Sequence, residues 1–272
     1  MSILLSQPDE KDPSVRIITL NRPDELNAYN GAMHTALLEA IDVADRDNSV
    51  RVIVVTGAGR VFCSGADFRE GFDSLGKIQP MEGDVQRDAG GVLNLRIFEC
   101  DTPVIGAVNG SAVGIGSTML IPMDMRIASN KAKFSMPFAR RGIVFDGAAS
   151  WFLPRLVGFS KAQEWIMRGH LFMADEALAA GFVNQLVEPE DVLPTALEIA
   201  RDIAQNCAPE SVAINKQLLR ASMLGHGTLD AGPMAAHIAE SRHLNRRFTE
   251  EDCQEGVRAF LEKRAPQFKD RN

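Results

Sequence analysis

The chain has 272 residues, 36 acidic and 29 basic, giving a formal charge of −7, with 45% hydrophobic and 24% charged residues. That length and composition suit a soluble globular protein with one large domain, or a main domain plus a smaller one, whose core needs no disulfide or metal staple. The acidic balance, without a long Lys/Arg run, excludes a nucleic-acid surface, and no apolar run reaches the ~18–20 residues of a membrane helix.

The opening stretch MSILLSQPDEKDPS lacks the basic start and long apolar segment of a signal peptide. Val15 to Leu20 has strand composition, and Asn21-Arg22-Pro23-Asp24-Glu25 breaks it. Asn30 to Asp47 reads as a helix, because Met33, Leu37, Leu38, Ile41 and Ala44 recur at spacings of three and four. Arg51 to Thr56 and Pro103 to Asn109 are short apolar runs that fit strands buried on both faces. Met125 to Ala128 is a further short strand candidate. The stretch from Gly71 to Gly91 mixes Gly, Asp, Gln and Pro without periodicity and reads as a mobile loop or irregular helix near a site. Ser160 to Arg168 and Ala174 to Gly181 fit short helices, and Phe182 to Val187 fits a strand. From Leu193 helical periodicity dominates, in 196–205, 210–224 and 249–263, with a breaker at Gly225 to Pro233. Strands alternating with helices predict an α/β protein, with a core over 1–200 and a helical region over 201–272.

Cys63, Cys100, Cys207 and Cys253 are scattered, which fits a reducing, cytoplasmic setting and offers no zinc framework. The five histidines show no ligand spacing, so no metal site is expected. Two Gly-rich turns follow the buried-strand patterns: Gly57 to Phe68 and Asn109 to Thr118. Neither carries GxGxxG or GxxxxGK[ST], so a phosphate loop is not supported. Each alone is a plain strand-to-helix turn. On neighbouring strands, however, two such turns can aim two backbone N–H groups at one oxygen, which predicts acyl or enolate chemistry.

Five blocks in order give the chain a resemblance. They are Leu20-Asn21-Arg22-Pro23-Asp24-Glu25-Leu26-Asn27-Ala28, Phe62 to Asp67, Pro103 to Gly110, Leu153-Pro154-Arg155-Leu156-Val157-Gly158, and Glu255 to Arg264. Together they resemble the crotonase (enoyl-CoA hydratase/isomerase) superfamily over nearly the whole chain. The resemblance implies a spiral of ββα units, a helical C-terminal trimerisation region, and acyl-CoA thioester substrates with no separate cofactor. It implies a homotrimer or dimer of trimers, and an oxyanion hole made by the N–H groups of Ala66 and Ile115. Ile115 stands where hydratases have Gly, but a backbone N–H does not depend on its side chain.

The two catalytic glutamates of the hydratases match Thr118 and Phe138 here, so ordinary hydration is in doubt. Asp146 matches the catalytic glutamate of the peroxisomal-type Δ3,Δ2-enoyl-CoA isomerases. On its own, Asp146-Gly147 is a common turn dipeptide. Within the resemblance, Asp146 is the expected base of a 3-enoyl to 2-enoyl shift, with Thr118, Phe138 and Phe145 around the acyl group and the two rings desolvating it. An aspartate also stands there in dienoyl-CoA isomerases and in 4-chlorobenzoyl-CoA dehalogenase. The first would need further acids at Thr118 and Phe138. The second would need a histidine within 84–102 and a Trp in the stretch that reads Ser135-Met136-Pro137-Phe138. The alternatives are an enoyl-CoA hydratase and a catalytically silent acyl-CoA binder.

The CoA adenine end is expected near Leu26 and Ala28 and against Ser64, Ala66, Asp67 and Phe68. Phe260 and Lys263 come from a neighbouring subunit, or else mark an amphipathic helix with Phe buried and Lys solvated. Asp67 and Asp124 are expected to make local hydrogen bonds, and Arg140 and Arg141 to be a solvated pair. Trp151, Trp165 and the set Met119, Met123, Met125 and Met136 are expected to be packing residues.

Overall fold

The computed structural model describes residues 2–70, 81–224, 233–248 and 250–271. Its centre is a six-stranded sheet in the order β1-β2-β3-β7-β9-β12. The strands are β1 (Leu4–Pro8), β2 (Val15–Leu20), β3 (Val52–Gly57), β7 (Val104–Val108), β9 (Met125–Ser129) and β12 (Gln185–Val187), all parallel except the edge pair β1–β2. A second sheet, in the order β11-β10-β8-β4, is built from β4 (Val61–Cys63), β8 (Ser111–Val113), β10 (Lys133–Ser135) and β11 (Leu171–Met173). Three times, a long strand of the first sheet turns within two or three residues into a short strand of the second: β3 into β4, β7 into β8, and β9 into β10. That repetition is the expected ββα spiral.

The apolar runs explain the layering. β3 is buried along its whole length, and alternate side chains serve two different cores. Ile53 and Val55 face a core shared with α1 (Gly31–Arg46) and the second sheet, while Val52 and Val54 face the other side. β7 divides likewise, with Val104 and Val108 on one face and Ile105 and Ala107 on the other. That other face is covered by α7 (Val192–Asn206), which presents Val192, Ala196, Leu197, Ala200 and Ala204 at helical spacing. Helix α1 begins where its cap predicts, since the Asn30 side chain accepts from Met33 N–H at 3.0 Å.

The expected boundary at residue 200 falls inside α7, which belongs to the core. The helices beyond it are α8 (Pro209–Leu224), α9 (Pro233–Arg247) and α10 (Glu251–Glu262). The chain end then returns to the body. Arg51 donates to the carbonyls of Ala204 and Phe268 at 2.9 and 2.7 Å, and Arg271 to Asp45 O at 2.7 Å.

Part of the expected 71–91 loop, 71–80, lies outside the described residues. The rest forms a small hairpin of β5 (Met81–Glu82) and β6 (Val85–Gln86), then the start of α2 (Ala89–Glu99). The remaining helices are the short α3 (Ile115–Thr118), then α4 (Ala149–Val157), α5 (Phe159–Arg168) and α6 (Ala174–Ala179). The expected strand at 182–187 shortens to β12, because Phe182 and Val183 are drawn into the core. Trp165 stacks on Phe172 at 3.9 Å, and Trp151 packs edge-on against Phe98 and Phe152. Met119, Met123 and Met136 are buried in the main core, and Met125 packs on the α7 side.

Candidate active site

The two Gly-rich turns lie side by side because β4 and β8 pair in parallel, Cys63 opposite Ala112. Glycine is required for this closeness at Gly116, where a Cβ would fall 2.5 Å from Cys63 O. The Asn109 side chain ties the turns further, accepting from Gly57 N–H at 3.2 Å and donating to Gly59 O at 2.9 Å. In the first turn, Tyr29 bridges the backbone on both sides of Ala66, taking Gly65 O and Asp67 N–H. The Ala66 N–H stays outside that bridge. In the second turn, Ile115 opens α3, so its N–H has no intrahelical partner. Neither N–H has a hydrogen-bond acceptor among the described residues. Both residues line one cavity of about 340 Å³.

Ser64, Phe68, Ile115, Phe138, Ile143 and Val144 give that cavity a mainly apolar wall, and Asp146 and Asp88 put two carboxylates on it. Asp146 opens only partly to the cavity and is otherwise packed in protein. Burial therefore pushes its carboxyl up to about 6, with the nearby Asp88 adding to the rise and a hydrogen bond from Thr118 opposing it. Thr118 Oγ1 donates to Asp146 Oδ1 at 2.7 Å. The segment after the acid is held at several points. Asp88 Oδ1 accepts from Gly147 N–H at 3.2 Å, and Asn94 Nδ2 donates to Gly147 O at 2.7 Å and Thr118 O at 2.9 Å. Gly147 and Ala148 both take positive φ, so the chain leaves Asp146 by a sharp left-handed step.

The structure brings Ser64, Ala66, Phe68, Ile115, Phe138 and Asp146 together on the cavity, with Thr118 behind Asp146. Others are placed differently. Phe145, expected on the acyl wall, lies in a separate groove with Ala149, Phe159 and Ile166. Asp67 is taken up by Arg22 and Arg69 at 2.9 and 2.7 Å, which hold its carboxyl well below the ordinary range. Leu26 and Ala28 brace the first turn: Leu26 O accepts from Ser64 N–H, and Ala28 O from Arg22. Phe260 and Lys263 are exposed and line no part of this cavity. Phe260 is 82% exposed, against the expectation of a buried ring on an amphipathic helix. Arg140 and Arg141 are exposed as expected, but Arg141 lines the cavity with its guanidinium 5.8 Å from the Phe68 ring centre. Asp124 accepts locally from Val104 N–H and pairs with Lys216 at 2.6 Å. Away from the cavity, Glu164, His170 and Glu176 cluster within 4.8 Å, but Lys161 and Arg168 already pair with these glutamates.

Sequence reasoning missed Asp88, the N-cap of α2, and Gly90 and Asn94 within that helix. The available signal was Asp88 three residues before Gly91, the spacing of an N-cap, whose side chain does accept from Gly91 N–H at 2.6 Å. Gly90 makes room for the acid, since a Cβ there would lie 2.9 Å from both Cγ and Oδ2 of Asp146. Gly90→Ala is therefore expected to lower turnover about 10–100-fold by displacing the carboxylate. It should leave the melting temperature unchanged or higher, because Ala favours a helix by about 1 kcal/mol over Gly. Parallel kinetics and thermal melts check both.

A two-sheet ββα spiral with an acid-bearing cavity at paired Gly-rich turns is the crotonase architecture. The chain belongs to the enoyl-CoA hydratase/isomerase family, whose model matches residues 10–271. It is 43% identical to the enoyl-CoA hydratase ACTT3 of Alternaria alternata over 94% of this chain and 83% of that one. It is 34% identical to the 1,2-epoxyphenylacetyl-CoA isomerase of Escherichia coli, covering 98% of each. The crystal structure of a probable enoyl-CoA hydratase/isomerase from Mycobacterium abscessus superposes with a TM-score of 0.87 at 33% identity, covering 99% of this chain and 100% of that one.

Proposed function

We propose that the protein shifts the double bond of a 3-enoyl-CoA to the 2-enoyl position, with Asp146 as the single base. The observation that carries this reading is the Asp146 carboxylate on the apolar cavity bounded by both Gly-rich turns. The carboxylate takes a proton from C2, and the C–H electron pair moves into a dienolate with its charge on the thioester oxygen. The N–H groups of Ala66 and Ile115 donate to that oxygen, where charge develops most. Protonated Asp146 then returns the proton to C4, leaving the double bond between C2 and C3. The shift is redox-neutral and uses no cofactor beyond the CoA of the substrate. A carboxyl near 6 suits both halves, being ionised at neutral pH yet basic enough to take a carbon-bound proton.

Water addition asks for two acids around one water. Thr118 commits its hydroxyl to Asp146, Phe138 presents a ring, and Asp88 Oδ1 is tied to two backbone N–H groups. Exposed Phe260 and Lys263 fit a role toward the CoA of a neighbouring subunit in a homotrimer or dimer of trimers.

The test is conversion of 3-enoyl-CoA with product identification across pH. The rate rises with pH through about 6, as the base loses its proton. Thr118→Val removes a hydrogen bond that favours the charged carboxylate, so the acid limb moves to higher pH. A limb that stays in place or moves down removes Asp146 from the base role.

A further inference from the structure

Resting on Asp146 as the base, we propose that Asp88 is its positioning residue, acting through the Gly147 N–H and through its own negative charge across Gly90. Asp88 Oδ1 accepts from Gly91 N–H at 2.6 Å and from Gly147 N–H at 3.2 Å. One oxygen thus joins the start of α2 to the residue that follows the base. Gly90 adjoins both acids. A Cβ at Gly90 would lie 2.9 Å from Asp146 Oδ2 and 3.2 Å from Asp88 Oδ1. Both acids line the same cavity. Asp88 is exposed to solvent and held by two donors, whereas Asp146 is half-buried. The like charge therefore acts on the more buried acid and favours its protonated form, on top of the larger effect of burial.

Among the described residues, the other ionisable groups coupled to Asp146 are Tyr29, ahead of α1, and Cys63 on β4. Burial holds Tyr29 far above its ordinary value and pushes Cys63 up to about 12, so both stay neutral across the relevant range. Arg87, ahead of α2, and Arg141, after β10, line the same cavity and face it with positive charge. Asp88 is the negative group in this set, which makes it the one whose removal lowers the proton affinity of the base.

Asp88→Asn separates charge from structure, because Asn caps a helix as well as Asp and keeps an acceptor oxygen for both N–H groups. The direct measurement is a carboxyl carbon NMR titration of protein labelled at aspartate, with the Asp146 signal assigned by its loss in Asp146→Asn. The midpoint near 6 in the wild type is expected to fall by about half a unit to one unit in Asp88→Asn. An unchanged or raised midpoint overturns the proposal. In turnover, the acid limb moves down by the same shift, and Asp88→Ala loses about tenfold in kcat that Asp88→Asn retains. Equal kcat in the Ala and Asn variants removes the tether through Gly147. The titration needs no turnover. A shifted midpoint in a protein that leaves 3-enoyl-CoA untouched sinks the isomerase reading and keeps the Asp88–Asp146 coupling.

Discussion

Asp146→Asn is expected to lower kcat for the 3-enoyl-CoA shift by about 10³–10⁴-fold, and to raise the melting temperature at neutral pH. The activity loss follows from a mechanism in which one group takes and returns the proton, with Thr118 and Phe138 unable to substitute. The gain in stability follows from the same burial. The folded carboxyl sits at about 6, above the ordinary aspartate value of 3.8, so the folded chain binds its proton more tightly than the unfolded chain. This group therefore weighs nothing against the fold below both values. It destabilises progressively as pH rises between them, by about 1–3 kcal/mol once both states are ionised. Asn removes the buried charge, so the variant melts higher than wild type above pH 6, and the difference closes toward pH 4. Melts at pH 4 and 8 check the sign. An Asn variant that melts lower at pH 8 would show that Asp146 is comfortable as an anion, and so a poorer base than proposed. A variant that still converts 3-enoyl-CoA at the wild-type rate would remove the base outright. If it lost that reaction but added water to 2-enoyl-CoA as fast as wild type, hydration would run through other groups.

Which parts of the molecule the sequence displays depends on how local their causes are. β3 and β7 show themselves as Val-Ile-Val-Val and Val-Ile-Gly-Ala-Val because both of their faces are buried. Helix α1 shows its cap and its apolar stripe. The three-residue strands β4, β8 and β10 are too short to carry a period, and they exist because register with one another fixes them. Helix α2 is hidden by its Ala-Gly-Gly start, which local propensity marks as loop. Gly90 answers to Asp146, 56 positions along the chain, and Gly91 to the Asp88 carboxylate. The site was legible only in part for the same reason. Asp146-Gly147 reads locally as a turn, and the superfamily resemblance is what singled it out. Phe145 was placed by adjacency, but successive residues of a non-helical stretch point different ways, and its ring went to another groove. Asp88 looks like any helix cap until the fold sets it across Gly90 from Asp146.

Gly116→Ala is expected to cut kcat by about 10²–10³-fold, the effect of losing one oxyanion donor. Its Cβ would sit 2.5 Å from Cys63 O and 2.9 Å from Cys63 Cβ, against a strand whose backbone is pinned in the second sheet. Backbone cannot yield as a flexible side chain does, so α3 must move away from β4. The residue before Gly116 is Ile115, whose N–H is one proposed donor, and three residues beyond Cys63 is Ala66, the other. A separation of even several tenths of an ångström takes one N–H out of line with the thioester oxygen. The variant also loses about 1–3 kcal/mol of stability from overpacking, so activity must be referred to folded protein. Gly110→Ala provides the control. A Cβ there meets Arg60 O in the turn between the same two sheets, but no proposed donor adjoins it. It should destabilise comparably while the folded fraction keeps kcat within a few-fold. Affinity for a saturated acyl-CoA, which develops no oxyanion, should change little in Gly116→Ala, because the donors act on the dienolate far more than on the ground-state carbonyl. Equal kcat losses in the two glycine variants would make the effect one of packing alone. A folded Gly116→Ala protein with wild-type kcat would show that Ile115 N–H does not reach the reacting oxygen.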